Sequence, residues 1–322
     1  QKYPFWGGTF WWATAKFLLK LPTFSPDIRC QKDWHFPELW IGSGPLPRIM
    51  DYAHHWPSLE QCSKAPEKFK VEPSDVPFYI DVPPWCEMQG GCRVMHYLAA
   101  LLFAAGYPVS TNYPCYFNPS ISVIPASPPH SVCVYPEGHG PSNRLNGRRV
   151  VRYFLYLASA FFKAQVPPEE AVIVFSPDFL EDVQRYCDSR TLTGDDVVRF
   201  PSLDAAWCFP EKKSIERVFF KGKGVDIKPP EGCDVIPRES HAKTLSILRR
   251  AKNFYTTDKH TLMSCEAALC GCDVFYVNQD GSIIPASGIM ELAQKQVMNP
   301  AKDVELARQF ANKCLEFFGE QY

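Results

Sequence analysis

The sequence lacks an excess of either charge and lacks a long apolar run. Of its 322 residues, 34 are Lys or Arg and 35 are Asp or Glu, giving a formal net charge of -1. The bulk attraction that favours non-specific nucleic-acid or anionic-membrane binding is therefore missing, and any anion site has to be local. The longest apolar stretch, residues 153–162 (YFLYLASAFF), is flanked by Arg152 and Lys163. It falls short of the roughly 20 residues a membrane helix needs, so no transmembrane segment is expected. A C-x-x-C pair is also missing. The 13 cysteines are odd in number and scattered from Cys30 to Cys314, which disfavours a disulfide framework or a zinc ribbon. Cys270 and Cys272 flank Gly271 without two further ligands nearby and read as small buried hydrophobes. This usage fits a reducing, cytoplasmic setting. No repeat recurs at a fixed period. With Gln1 first and no leader-like run behind it, a fragment of a longer product is expected.

What is present is 46% hydrophobic and 14% aromatic, enough apolar material for more than one core. About two domains of roughly 150 residues each are expected. Residues 1–56 are aromatic-dense, with Trp6, Trp11, Trp12, Trp34, Trp40 and Trp56 among the 8 tryptophans. Residues 57–75 are polar, proline-bearing and without apolar period, so they read as a linker.

From residue 76 short apolar runs alternate with helical ones. A strand over 76–82, a proline-and-glycine loop through Gly91, a helix over 93–105 stopped by Gly106, and a strand over 108–111 make a βαβ unit, which implies a parallel sheet. Strands over 131–135 and 171–175, with a helix over 148–162 between them, complete a first lobe, residues 76–200. A second lobe, residues 201–300, reads as strands over 217–220, 234–236, 253–256 and 273–277 with helices over 240–251 and 262–270. The last segment, residues 301–322, carries a helix over 302–318 whose apolar stripe can pack on either lobe. The fold class is α/β, with two facing Rossmann-like lobes.

The most informative stretch is residues 253–277. Thr261 suits an N-cap and Gly271 a left-handed cap at the other end of the same helix. The helix N-terminus then faces the loop 258–260 at the carboxyl end of a strand, where open α/β sheets bind ligands and where its N–H groups suit a phosphate. Glu266 lies about 7 to 8 Å further along the axis, near the reach from a diphosphate to a ribose diol. Upstream, FFKGKG places Lys221 and Lys223 around a glycine at a strand end, and compact ammonium groups there suit a diphosphate. The loop after Tyr135 offers Asn143, Asn146 and Arg152 as donors to a sugar or phosphate, although a helix cap explains Asn146 equally well. Gly90 and Gly91 permit close backbone approach to a ligand, as they would permit any tight turn. Lysine, histidine or an acid could each act as base, with His139 and His96 among the candidates.

Asp258-x7-Glu266, followed by Ala-Ala-Leu-Cys-Gly and an apolar strand, resembles the E-x7-E segment of nucleotide-sugar glycosyltransferases with the GT-B fold. The resemblance implies that Glu266 holds the donor ribose and that Asp258 lies near the sugar, with aspartate standing where that family has glutamate. It also implies Lys221 and Lys223 on the diphosphate, and a double glycine, here Gly90 and Gly91, beside the acceptor and the donor phosphates. The segment 135–152 is similar to one in a bacterial and viral subgroup, matching at Tyr135, Pro136, Glu137, Asn143, Leu145, Asn146, Val150, Val151 and Arg152. Trp11, Trp12, Glu38, Trp40 and Ile41 resemble the closing part of a separate glycosyltransferase domain, with no D-x-D motif before them. The expected activity is transfer of a sugar from a nucleotide sugar to a glycan or glycoconjugate, through Asp258 and His139, with no metal or other cofactor required. The alternatives are a sugar-nucleotide epimerase of the same two-lobe plan and a non-catalytic carbohydrate-binding module.

Overall fold

A computed structural model describes residues 76–128, 130–140, 142–144, 147–222 and 227–319, His139 by its backbone only, all within the compact unit Leu59–Tyr322. The expected remnant 1–56 and the linker 57–75 lie outside the described residues.

Six strands form the first sheet: β1 (Phe78–Ile80), β2 (Val109–Thr111), β3 (Ser122–Val123), β4 (Val132–Pro136), β5 (Arg149–Phe154) and β6 (Ala171–Val174). They are all parallel, in the order β3-β2-β1-β4-β5-β6, the doubly wound order of a Rossmann-like lobe. β1, β2, β4 and β6 are buried throughout, and β1, β4 and β6 accordingly read as short runs rich in Val, Ile, Tyr and Phe. Helix α1 (Gly90–Ala104) makes the first crossover and is buried from Cys92 to Leu102. It ends where Gly106 turns to φ +94, a left-handed backbone that costs glycine little.

The short α2 (Leu180–Gln184) precedes the second sheet, built from β7 (Ile215–Phe220), β8 (Asp234–Val235), β9 (Ala251–Thr256), β10 (Asp273–Val277) and β11 (Ile283–Pro285). Its order is β11-β10-β9-β7-β8, parallel except for the edge strand β11, which returns antiparallel to β10. Helix α3 (His241–Arg250) starts at Ser240, whose hydroxyl accepts from Lys243 N, and helix α4 (Leu262–Leu269) starts at Thr261, whose hydroxyl accepts from Met263 N. Gly271, at φ +78, follows the end of α4 in the left-handed conformation expected of it.

The chain passes between the sheets twice. The two passages lie side by side, Ser202 N and Leu203 N donating to Gln296 O (3.0 and 2.9 Å) and Met298 N to Leu203 O (2.8 Å). After α5 (Ile289–Lys295), helix α6 (Pro300–Phe317) returns to the first sheet. Ala307, Phe310, Ala311, Cys314 and Leu315 join the core around α1, and Tyr97 OH donates to Asp303 Oδ2 at 2.7 Å.

One expected helix is a strand. Residues 148–162 form β5 followed by a 3-10 turn over Ala158–Ala160. β5 lies between β4 and β6, with Val151 and Tyr153 in the core under α1, while Phe154 and Val150 enter two other clusters. Apolar side chains on both faces erase the alternation that would have marked a strand. The segment 135–152 therefore links two strands instead of leading into a helix.

Candidate functional site

In the second sheet β7 and β9 are neighbours, yet the chain leaves β7 towards β8 on one side and β9 towards β10 on the other. The crevice beyond their carboxyl ends is the topological switch point, and it falls at residues 220–222 and 256–258. Gly222 makes the closest approach there: a Cβ on it would lie 2.7 Å from Asp258 N and 2.9 Å from Thr257 Oγ1, while its own N–H donates to Thr257 Oγ1 at 2.9 Å. The glycine between the two lysines is thus required by backbone packing. Lys221 is exposed beside it, and its carbonyl accepts from the Arg238 guanidinium. Lys223 lies outside the described residues.

Asp258 is buried. Its Oδ1 accepts from His260 N at 2.9 Å and from Tyr156 OH, which comes from the first lobe, at 3.4 Å. Burial, and then the Asp258 charge, push the Tyr156 phenol up to about 12. His260 packs edge-on against Phe179 and Tyr156 of the first lobe, with ring centroids 5.2 and 6.2 Å apart.

Two helix N-termini meet at this crevice. A Cβ on Gly90, the first residue of α1, would lie 3.3 Å from Leu262 Cδ2, and Leu262 is the first residue of α4. A Cβ on Gly91 would lie 3.3 Å from Leu155 Cδ1. The two glycines expected in a loop therefore belong to the first turn of α1, and they let the helix approach its neighbours. Thr261 caps α4, whereas Gln89 makes no side-chain cap to α1. The positive ends of both helix dipoles meet here from opposite lobes.

Glu266 projects from α4 into a buried cluster and is only 1% exposed. Its Oε1 accepts from Arg93 Nη1 of α1 at 2.7 Å and lies 2.8 Å from His241 Nε2 of α3. Arg93 Nη2 is also 2.8 Å from that same His241 nitrogen. One ring nitrogen cannot both donate to Glu266 and accept from Arg93, so each tautomer of His241 satisfies only one of these contacts. Arg93 Nε donates to Glu87 O at 2.6 Å, and its guanidinium lies 5.4 Å from the Trp207 ring, which stands edge-on to His241. Glu266 Oε2 is buried with no hydrogen-bond partner among the described residues. Burial alone would raise the pKa of this carboxyl; the Arg93 charge and the contact with His241 outweigh it and hold the group below its ordinary value.

The residues expected in the first-lobe loop have structural partners. Arg152 is fully buried in β5, with Nε and Nη2 donating to Glu170 Oε2 and Oε1 (2.5 and 2.9 Å) and Nη1 donating to Gly140 O at 3.0 Å. It shapes the loop from beneath and offers no donor to a cleft, contrary to expectation. Asn143 Oδ1 accepts from Gly147 N and Tyr135 OH (both 2.8 Å), and its Nδ2 donates to Gly147 O at 2.7 Å, closing the loop on itself. Glu137 Oε2 accepts from Leu155 N at 2.9 Å. Asn146 and the side chain of His139 lie outside what is described. His96 is fully buried: its Nδ1 accepts from Tyr116 N at 3.1 Å, so its Nε2 donates to Pro83 O at 2.9 Å. Burial lowers the imidazole below its ordinary value. A neutral ring with both nitrogens engaged is a packing element, which removes it as a candidate base.

Sequence reasoning missed Arg93, His241, Trp207 and Asp81. Asp81 follows β1 at the switch point of the first sheet, is fully buried, and accepts from Asn112 Nδ2 (2.6 Å) and Arg144 Nε (3.0 Å). A lone buried acid directly after an apolar strand was the only available signal. The described cysteines are all free, and Cys272 Sγ donates to Leu248 O at 3.1 Å. Among the described residues no group of three or more His, Cys, Asp or Glu side chains could hold a metal ion, and no helix is long and apolar enough to cross a membrane. No protein family and no curated protein matches the chain.

Proposed function

We propose that the chain transfers a sugar from a nucleotide-sugar donor to a glycan or glycoconjugate acceptor, in the manner of a GT-B glycosyltransferase. The observation that carries this reading is the convergence at one crevice of two helix N-termini, the glycine-enforced contact between residues 222 and 258, and an ionised buried glutamate one and a half turns along α4. A nucleoside diphosphate matches that sequence of charges. Its phosphates would face the N–H groups of α1 and α4 and the ammonium of Lys221, while its ribose would reach Glu266. Positive groups at that position stabilise negative charge as the diphosphate departs, which is where a glycosyl donor develops it. Asp258 would fix the loop 258–260 against Tyr156. The paired passages at 202–203 and 296–298 supply a hinge on which two lobes can close and exclude water.

The test is a thermal-shift screen of nucleoside diphosphates, repeated with Glu266→Gln. One base class should raise the melting temperature of the parent, by the equivalent of about 2.7 kcal/mol at a hundred times its Kd, and should raise that of the variant much less. Absence of a shift with every base, or equal shifts in both proteins, overturns the reading. Release of nucleoside diphosphate only when a glycan acceptor is present would complete it.

A further inference from the structure

We infer that Arg93 is a positioning residue that reaches across from the first lobe to aim the Glu266 carboxylate, so that one oxygen alone, Oε2, receives a single ribose hydroxyl. The inference rests on the nucleotide-sugar reading above and deepens it by stating which part of the ribose is read and what sets that choice.

Both donors to Glu266 sit on one oxygen. Arg93 Nη1 is 2.7 Å and His241 Nε2 2.8 Å from Oε1, whereas Oε2 has no partner among the described residues although the side chain is 1% exposed. A desolvated carboxylate oxygen with nothing to accept is unfavourable, and folded proteins seldom leave one so. The other buried arginine–glutamate pair is the internal control: Arg152 serves both oxygens of Glu170 side-on. Arg93 could have bound Glu266 in that manner, but its Nε is committed to Glu87 O at 2.6 Å and its Nη2 donates to that same carbonyl, leaving only Nη1. The guanidinium is held in that pose over the face of Trp207. With Oε1 saturated, Oε2 alone is left to accept, so a vicinal diol would meet one acceptor there and not two. Because Arg93 belongs to α1 and Glu266 to α4, this aim exists only while the two lobes are together.

The experiment measures Kd by calorimetry for the nucleoside diphosphate found in the thermal-shift screen and for its 2′-deoxy and 3′-deoxy analogues. In the parent, one analogue should bind about tenfold more weakly and the other within about twofold of the ribonucleotide. Arg93→Met should abolish that one-sided preference while leaving competition by inorganic diphosphate unchanged, and Arg93→Lys should keep part of it. A merely structural arginine would weaken all three nucleotides and the diphosphate alike. Equal losses for both deoxy analogues in the parent, or an undiminished preference in Arg93→Met, overturn the inference while the nucleotide reading stands. If Arg93→Met does not fold, the parent comparison and Arg93→Lys decide. Failure of the parent to bind any nucleoside diphosphate overturns the reading itself.

Discussion

Among the described residues, two buried arginine–glutamate pairs use similar groups in different ways. Arg152 and Glu170 lie within the first lobe; both carboxylate oxygens accept, and the remaining guanidinium nitrogen ties down the carbonyls of Gly140 and Ser142. Arg93 and Glu266 come from different lobes, and the pair leaves one carboxylate oxygen without a donor. A buried charge that is completely served is a structural fastening, whose removal costs stability and little else. One that is incompletely served keeps a directional acceptor in a low-dielectric surrounding, where a ligand hydroxyl gains most from meeting it. The sequence offered both Arg152, from its loop, and Glu266, from its spacing, as ligand groups; among the described residues only Glu266 keeps a buried carboxylate oxygen without a donor.

The largest expected effect tests the fastened pair. Glu170→Gln should cost about 3–5 kcal/mol, because it strands a fully buried guanidinium, and urea unfolding should register it without change in nucleotide preference. If Glu170→Gln altered nucleotide affinity in protein that is still folded, the distinction between the pairs would collapse. Next, Glu266→Gln should cost less, about 1.5–3 kcal/mol, since Oε2 makes no bond to lose, yet it should remove the nucleotide-dependent shift. Urea midpoints of parent and Glu266→Gln, compared from about pH 7 to about pH 3, sharpen the contrast further. The folded carboxyl of Glu266 is held below 4.5, so the folded state binds fewer protons than the unfolded chain. The contribution of the pair is therefore complete above that value and is lost as pH falls through the lower folded value. The advantage of the parent should shrink only in that acid range; a constant difference would mean that Glu266 is not held ionised. The smallest effect belongs to Tyr156→Phe, which removes one long contact between lobes, 3.4 Å to Asp258, and should shift stability by about 0.5 kcal/mol.

Local chemistry made much of the second lobe legible. Thr261 and Gly271 bound α4 as cap residues do, and β7, β9 and β10 carry the short apolar runs of parallel strands. Glu266 stood out through its spacing from Asp258, but nothing adjacent in the chain announced Arg93, 173 positions away, or His241, 25 positions away. Arg93 sits in a run of apolar helical residues, where an arginine reads as a solvated side chain, and only the docking of α1 against α4 buries it. The reverse error befell Arg152, whose neighbours matched a loop motif while its side chain lay under that loop. The stretch 149–154 was misread for a related reason, because a strand covered on both faces has no period for sequence to display.

By itself, then, the order of residues determined where backbone hydrogen bonding is punctuated: the caps, the glycine turns, and the alternation of short apolar runs with helices that yields two α/β sheets. These are short-range consequences of backbone sterics and of the few groups each residue offers to its immediate neighbours. The tertiary structure alone decided which charges meet, which of them are fully paired and which oxygen is left waiting, because those facts depend on desolvation and on distances between segments that share no local signal.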